Sequence, residues 1–326
     1  MKCEKKIEQL SRPGRSLSQR VVKGGFWVFS LRMTQQVFIS VRLIILARIL
    51  VPSDFGLMGI ALLTMSTLET FSQTGFQQAL IQKKGVESYL NSAWTISILR
   101  GLVLFIIIFF IAPYAAIFFK SPQAGPVIRV IGLAILLKGF INIGVIYFQK
   151  ELEFNKQFLY QLSGTLADFI VSVSSALIIG SVWALVFGLL ASAVVTTVAS
   201  FLIHPCRPHL TKNLGEAKEL FGFGKWILGS SILVFLSTQG DAIFVGKLIG
   251  VVALGFYQMA YKISNTPATE IVQVVSQVTF PTYSKLQDNL PKLREAFLKV
   301  LQLTSFVSIP LAGGIFILGL ILPGYS

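Results

Sequence analysis

The sequence predicts an all-α, polytopic membrane helix bundle with a two-lobed, parallel-repeat architecture. Three observations predict it. Hydrophobic residues make up 54% of the 326 and charged residues only 13%, at a mean hydropathy of +0.73, whereas a soluble domain carries about 25% charge. The apolar residues gather into runs long enough for a helix of about 20 residues to cross a bilayer. Finally, the chain repeats itself. Shifted by 199 residues without a gap, Gly25, Trp27, Ile44, Gly56, Ala61, Thr70 and Gln78 recur as Gly224, Trp226, Ile243, Gly255, Ala260, Thr269 and Gln277.

In lipid a backbone must satisfy its own polar groups, so each apolar run reads as a helix. In order these are Gly24 to Leu46, Phe55 to Ile81, Ala93 to Phe119, Val127 to Phe148, Phe158 to Ile179, Val182 to Ile203, Phe221 to Leu248, Val252 to Thr279 and Ala296 to Leu322. A basic leader (1–23) precedes a first lobe of six spans (24–204); a linker (205–220) leads to a partial second lobe of three (221–326). Six spans separate the two copies, so both enter from the same side. A second lobe equal to the first would need roughly 80 more residues and three more helices, so the chain reads as C-terminally truncated.

Orientation follows from Lys and Arg. The leader and the loops after spans two, four, six and eight hold eighteen, counting Lys299; the opposite loops hold Arg48, Lys120 and Lys247. The N-terminus is therefore expected on the cytoplasmic side. The first apolar segment has no Ala-x-Ala cleavage pattern and holds two arginines, which makes it a retained span. The net charge of +14 is explained by these one-sided loops, and nucleic acid is not an expected partner.

Charges inside the spans are the candidate site. An arginine at bilayer centre costs at least ~2.5 to 3.5 kcal/mol, so Arg32 and Arg42 need a reason. With Gln35 and Ile39 they form one stripe of span one, spread over about 15 Å of depth. Span two answers with Ser66, Glu69, Thr70, Gln73 and Gln77. Span four offers Lys138 and Asn142 one turn apart; span five carries Gln161, Thr165, Asp168, Ser172 and Ser175. Where span one has Arg42, span seven has Asp241. Span eight places Gln258, Lys262, Asn265, Thr269 and Ser276 on one face, with Glu270 beside them and a kink expected at Pro267.

Guanidinium and ammonium groups lining a wet cleft favour a phosphate-bearing substrate, which makes Arg32, Gln35, Arg42, Lys138 and Lys262 the candidate substrate-binding set. Carboxylates there can take up a proton or a sodium ion, making Glu69, Asp168, Asp241 and Glu270 the ion-coupling candidates. The alternative for each is a satisfied ion pair, with Glu69 paired to Arg32 and Glu270 to Lys262. Arg100 and Arg129, near span edges, read as snorkelling anchors. Trp27, Trp94 and Trp226 read as interface residues. Cys3 and Cys206 fall on the cytoplasmic side, where no disulfide is expected. His204 and His209 lack a third ligand at useful spacing, so no metal and no cofactor is expected.

Three segments carry a resemblance: Gly25-Phe26-Trp27, Leu46-Ala47-Arg48-Ile49-Leu50-Val51-Pro52-Ser53-Asp54-Phe55-Gly56, and Gly75-Phe76-Gln77-Gln78-Ala79-Leu80-Ile81-Gln82. With Tyr147-Phe148-Gln149-Lys150 and Phe280-Pro281-Thr282-Tyr283-Ser284-Lys285 they resemble the Wzx-type lipopolysaccharide and exopolysaccharide flippases of the multidrug/oligosaccharidyl-lipid/polysaccharide exporter superfamily. The resemblance implies at least twelve helices, a central cationic cavity, and ion-coupled alternating access. It also implies movement of an undecaprenyl-pyrophosphate-linked oligosaccharide across the bacterial inner membrane for surface polysaccharide biosynthesis, beside polysaccharide polymerase and assembly proteins. The alternative is a MATE-like cation or drug antiporter, in which Asp168 and Asp241 matter and the arginines do not. A membrane polymerase or ligase would need a sizeable outer loop, and the outer loops here are a few residues long.

Overall fold

The structure, a computed structural model, describes the backbone of residues 17–72, 89–211, 215–287 and 289–321. Side chains are described for these except 17–22, 89, 215–227, 262–274, 285, 307, 311–312 and 314–321. The regular elements are helices: α1 (Leu17–Ile49), α2 (Pro52–Phe71), α3 (Tyr89–Phe118), α4 (Ala124–Gly139), α5 (Ile146–Lys150), α6 (Phe154–Ile179), α7 (Trp183–Ile203), α8 (Gly215–Phe244), α9 (Val251–Leu286) and α10 (Leu290–Ile321). Among the described residues no strand occurs.

Among the described residues five helices are long and apolar enough to cross a membrane: Lys23–Ile49, Leu90–Phe118, Phe154–Ile179, Trp183–Ile203 and Leu228–Ile249. Ala124–Gly139 and Ile143–Lys150, which meet at 70°, pass the same test only together, as a broken span or a re-entrant loop. Nine were expected. The 20-residue α2 falls short because Ser66, Thr67, Glu69 and Thr70 dilute its apolar content, and α9 and α10 are only partly described. Large apolar side chains such as Ile178, Leu202 and Phe306 stand more than three-quarters exposed, which in water would be untenable and in lipid is the resting state.

The break in the fourth span corrects the sequence reading. Lys138 closes α4, but Asn142 is not one turn further along the same helix. It is fully buried, accepts at Oδ1 from the Gly144 amide (2.9 Å) and donates from Nδ2 to the Cys206 carbonyl (2.7 Å). A short amide side chain that satisfies local backbone groups competes with helix continuation, and here it wins.

The main core lies at one end of the bundle. Leu46, Leu50, Ile60, Ala124, Ile128, Val182, Val186, Ala242 and Leu254 belong to one buried cluster beside the chain reversals at 50–51, 119–123, 180–182 and 250. The other end has small clusters, such as Val28, Leu152, Phe154 and Val278. Helix α9 begins at Val251, 199 residues after α2 begins at Pro52, and the two pack against each other. The register of the repeat is thus also the register of the helix starts.

Candidate functional site

Helix α1 carries Arg42 about two turns before its end, and α6 carries Asp168 on the face turned towards it. The Arg42 guanidinium Nη1 donates to Asp168 Oδ2 in an ion pair between side chains about one-fifth exposed. About two turns nearer the start of α1, Gln35 Nε2 donates to Thr165 Oγ1 at 3.0 Å, so two polar stripes zip α1 to α6. Glycine makes room on the other side. A Cβ at Gly188 of α7 would lie 2.6 Å from Asp168 Oδ1 and 2.7 Å from Ser172 Cβ.

Beside the ion pair is a cavity of about 190 Å³. Arg42 and Asp168 supply its charge, α2 its apolar floor (Phe55, Met58, Gly59, Leu62), α7 Leu185 and Leu189, and α9 Gln258 and Met259. It is therefore lined by α1, α2, α6 and α7 together with α9. Gln258 belongs to the polar face expected of span eight; the apolar lining is invisible in sequence, because a Leu or Met facing a cavity looks like one facing a core.

The other candidates divide into separate groups. Lys138 Nζ lies 3.4 Å from Glu69 Oε1, both side chains about a third exposed or more, so Glu69 has Lys138 as a partner. Arg32 is partly buried on α1 and is not among the residues lining the cavity, nor are Gln35, Lys138, Glu69 and Asp241. Asp241 is exposed on α8; its Oδ2 accepts from the Tyr257 hydroxyl and its Oδ1 from the Ala242 amide at 2.8 Å. The side chains of Lys262 and Glu270 lie outside the described residues.

Two expectations for basic and thiol groups are revised. Arg100, expected as a snorkelling anchor, is tied to the protein itself: its Nε donates to the Ser72 carbonyl (2.9 Å) and its Nη2 to the Glu69 carbonyl (2.9 Å) and Ser72 Oγ (2.8 Å), closing the C-terminus of α2. Arg129 is exposed with its guanidinium 5.1 Å from the Phe109 ring. Cys206 is disulfide-bonded, against the expectation of a free thiol; Cys3 lies outside the described residues. Among the described residues no group of His, Cys, Asp and Glu could hold a metal.

Sequence comparison adds relatives to this geometry. The lipopolysaccharide biosynthesis protein WzxC of Escherichia coli K12 is 26% identical over 305 residues, covering 93% of this chain and 62% of the relative. The teichuronic acid biosynthesis protein TuaB of Bacillus subtilis 168 is 27% identical over 244 residues, 74% of this chain and 50% of the relative. The succinoglycan biosynthesis transport protein ExoT of Rhizobium meliloti 1021 is 24% identical over 279 residues, 84% of this chain and 56% of the relative. The chain thus spans half to just under two-thirds of the length of these relatives. No solved structure matches. The resemblance to Wzx-type proteins stands, and the match over residues 45–322 to the family described as polysaccharide biosynthesis protein shows that this multi-pass membrane chain belongs to that family.

Proposed function

We propose that the chain moves a lipid-linked, phosphate-bearing oligosaccharide across the bacterial inner membrane by ion-coupled alternating access, with its N-terminus in the cytoplasm. The observation that carries this reading is the Arg42–Asp168 pair on the wall of a cavity lined by α1, α2, α6 and α7 together with α9. Guanidinium offers a planar fork of donors matched to phosphate oxygens, so a pyrophosphate entering the cavity competes with Asp168 for Arg42. Asp168, once released, is a carboxylate in a poorly solvated place and takes up a proton or a sodium ion. Substrate and ion are thereby linked through one residue pair. The Lys138–Glu69 pair and, separately, Arg32 on α1 would give the headgroup its first contacts on the cytoplasmic side. Lys262, Asp241 and Glu270 extend the two sets into the second lobe.

The test is complementation of a deletion strain with the gene carrying Arg42→Ala, scored by surface polysaccharide and by protein abundance in the membrane. Loss of polymer at normal abundance is expected, with Arg42→Lys intermediate because a point charge lacks the fork. Wild-type polymer from Arg42→Ala would overturn the role of Arg42. A drug exporter would instead show itself as altered growth of the deletion strain on toxic organic cations.

A further inference from the structure

Gly56 of α2 and Gly255 of α9 are related by the 199-residue repeat, and each meets the backbone of the other copy. A Cβ at Gly56 would lie 2.0 Å from the Val251 carbonyl oxygen. A Cβ at Gly255 would lie 2.2 Å from the Pro52 carbonyl oxygen. Pro52 and Val251 are themselves 199 apart, so the contact is reciprocal: the first turn of each helix rests in the glycine notch of the other. Small residues let membrane helices approach this closely, and what they meet here is backbone, which cannot swing aside as a side chain would.

A second contact between the copies lies at the same end. Lys247, in the π-helical turn Val245–Ile249 before α9, donates from Nζ to the Phe118 carbonyl at 2.7 Å and sits 4.2 Å from the centre of the Phe118 ring. The two sides of the contact differ in stiffness. On the first copy, Asp54 bonds the Val51 and Val182 amides and holds α2 to α7. On the second, Ala253 stands where Asp54 would be, and α9 is joined to what precedes it through Gly250, whose φ of +115° an L side chain rarely adopts.

We infer that the Gly56–Gly255 notch, latched by Lys247, is the gate that seals the cavity beside Arg42 from the side opposite the N-terminus, and that it opens by α9 pivoting at Gly250. The cavity lining begins at Phe55, next to the notch, and continues with Met58 and Gly59 one turn on, so parting the helices there would expose it. No side chain of either glycine position has to be desolvated or repacked in that motion. Closing, by contrast, needs both notches empty, and one added methyl group at either biases the pair towards the open state. The assignment of sides rests on the orientation proposed above.

The experiment places a cysteine at Met58 in the full chain and follows its reaction with a membrane-impermeant maleimide in right-side-out and inverted membrane vesicles. Gly56→Ala and Gly255→Ala should each raise the labelling rate in right-side-out vesicles about tenfold, and Lys247→Met should raise it by less. Gly229→Ala, whose Cβ would meet nothing within 4 Å, should leave the rate unchanged. Increases in inverted vesicles alone would keep the gate and overturn the orientation. Rates unchanged in both kinds of vesicle would overturn the gate, and if the glycine variants do not accumulate, an unchanged rate in Lys247→Met overturns it alone.

Discussion

Asp54 accepts a hydrogen bond from the Val182 amide at 3.1 Å through Oδ1 and from the Val51 amide at 3.3 Å through Oδ2, so one buried carboxylate joins the start of α2 to the start of α7 across 128 residues. This is the physical content of the Pro52-x-Asp54-Phe55-Gly56 run. Pro52 starts the helix where an amide would have no partner, Asp54 satisfies amides that the helix leaves over, and Gly56 admits α9. Asp54→Ala strands two amides in a dry place and is expected to lower stability by ~2 to 4 kcal/mol. Asp54→Asn keeps one acceptor oxygen and should lose about half of that. Thermal unfolding of the purified variants in detergent checks the order.

The Arg42–Asp168 pair predicts a non-additive double-mutant cycle. Removing one partner leaves the other charge in a poorly solvated position, at about 3 kcal/mol, less than for a fully enclosed pair because each side chain keeps about a fifth of its exposure. The double variant Arg42→Leu/Asp168→Leu removes both charges and should be more stable than either single variant. Its transport should still be lost. Denaturant unfolding in detergent gives the coupling, and the polysaccharide assay gives the activity. Stability recovering without function would separate the pair's structural part from its part in transport.

Two other basic groups test geometry against charge. Lys138 meets Glu69 at 3.4 Å with both side chains well exposed, so Lys138→Gln should change stability by less than about 0.5 kcal/mol. Arg100 makes a fork of bonds to the end of α2 that lysine cannot copy, and Arg100→Lys should cost ~1 to 2 kcal/mol. Raising salt should erase what Lys138 contributes and leave Arg100 largely untouched.

What could be seen in advance was a helical membrane bundle and the faces bearing polar groups, because an apolar run of about 20 residues has one solution in lipid and helical periodicity fixes which residues share a stripe. Periodicity does not say which helix lies opposite. Arg42 finds Asp168, 126 residues away, and Glu69 finds Lys138 on α4, 69 residues away. The break at Asn142 was hidden because an asparagine in an apolar run reads as one more polar stripe residue. Its partners, the Gly144 amide and Cys206 carbonyl, exist only once α7 returns to that level. The Asp54 clamp had a local signal in proline two residues before a carboxylate, but its second bond, to Val182, had none.

His204, just past the end of α7, is expected to make stability fall in acid. Burial, and next the nearby Lys156 charge, lower its pKa from 6.5 to about 4, and the neutral ring accepts from the Cys206 amide at Nδ1 (3.2 Å). The unfolded chain then binds a proton at His204 that the folded chain refuses until about pH 4. Stability is thus fully present above about pH 6.5 and is lost as pH falls through the window down to about 4, by an amount on the order of 3 kcal/mol. His204→Asn retains an acceptor near the Nδ1 position and cannot be protonated, so its unfolding free energy should be flatter with pH between 6.5 and 4 than that of the parent. Equal slopes would show that another group governs the acid response.

Gly188 offers the most direct test of whether helix packing holds the ion pair in place. A methyl group there would come within 2.6 Å of Asp168 Oδ1, 2.7 Å of Ser172 Cβ and 3.0 Å of the Asp168 carbonyl oxygen. Backbone on one side and a paired carboxylate on the other leave it nowhere to go, so either α7 moves off α6 or Asp168 moves off Arg42. Overpacking of this kind costs ~1 to 3 kcal/mol. If the carboxylate yields, Gly188→Ala weakens the pair, and the coupling energy between Arg42 and Asp168 measured in that background should shrink to less than half of its value in the parent. If the helices yield, that coupling survives and the loss appears in overall stability alone. The expected result is the first, because Asp168 Oδ1 is the atom the new methyl would meet first and a carboxylate rotates more readily than α6 and α7, packed along most of their length, separate.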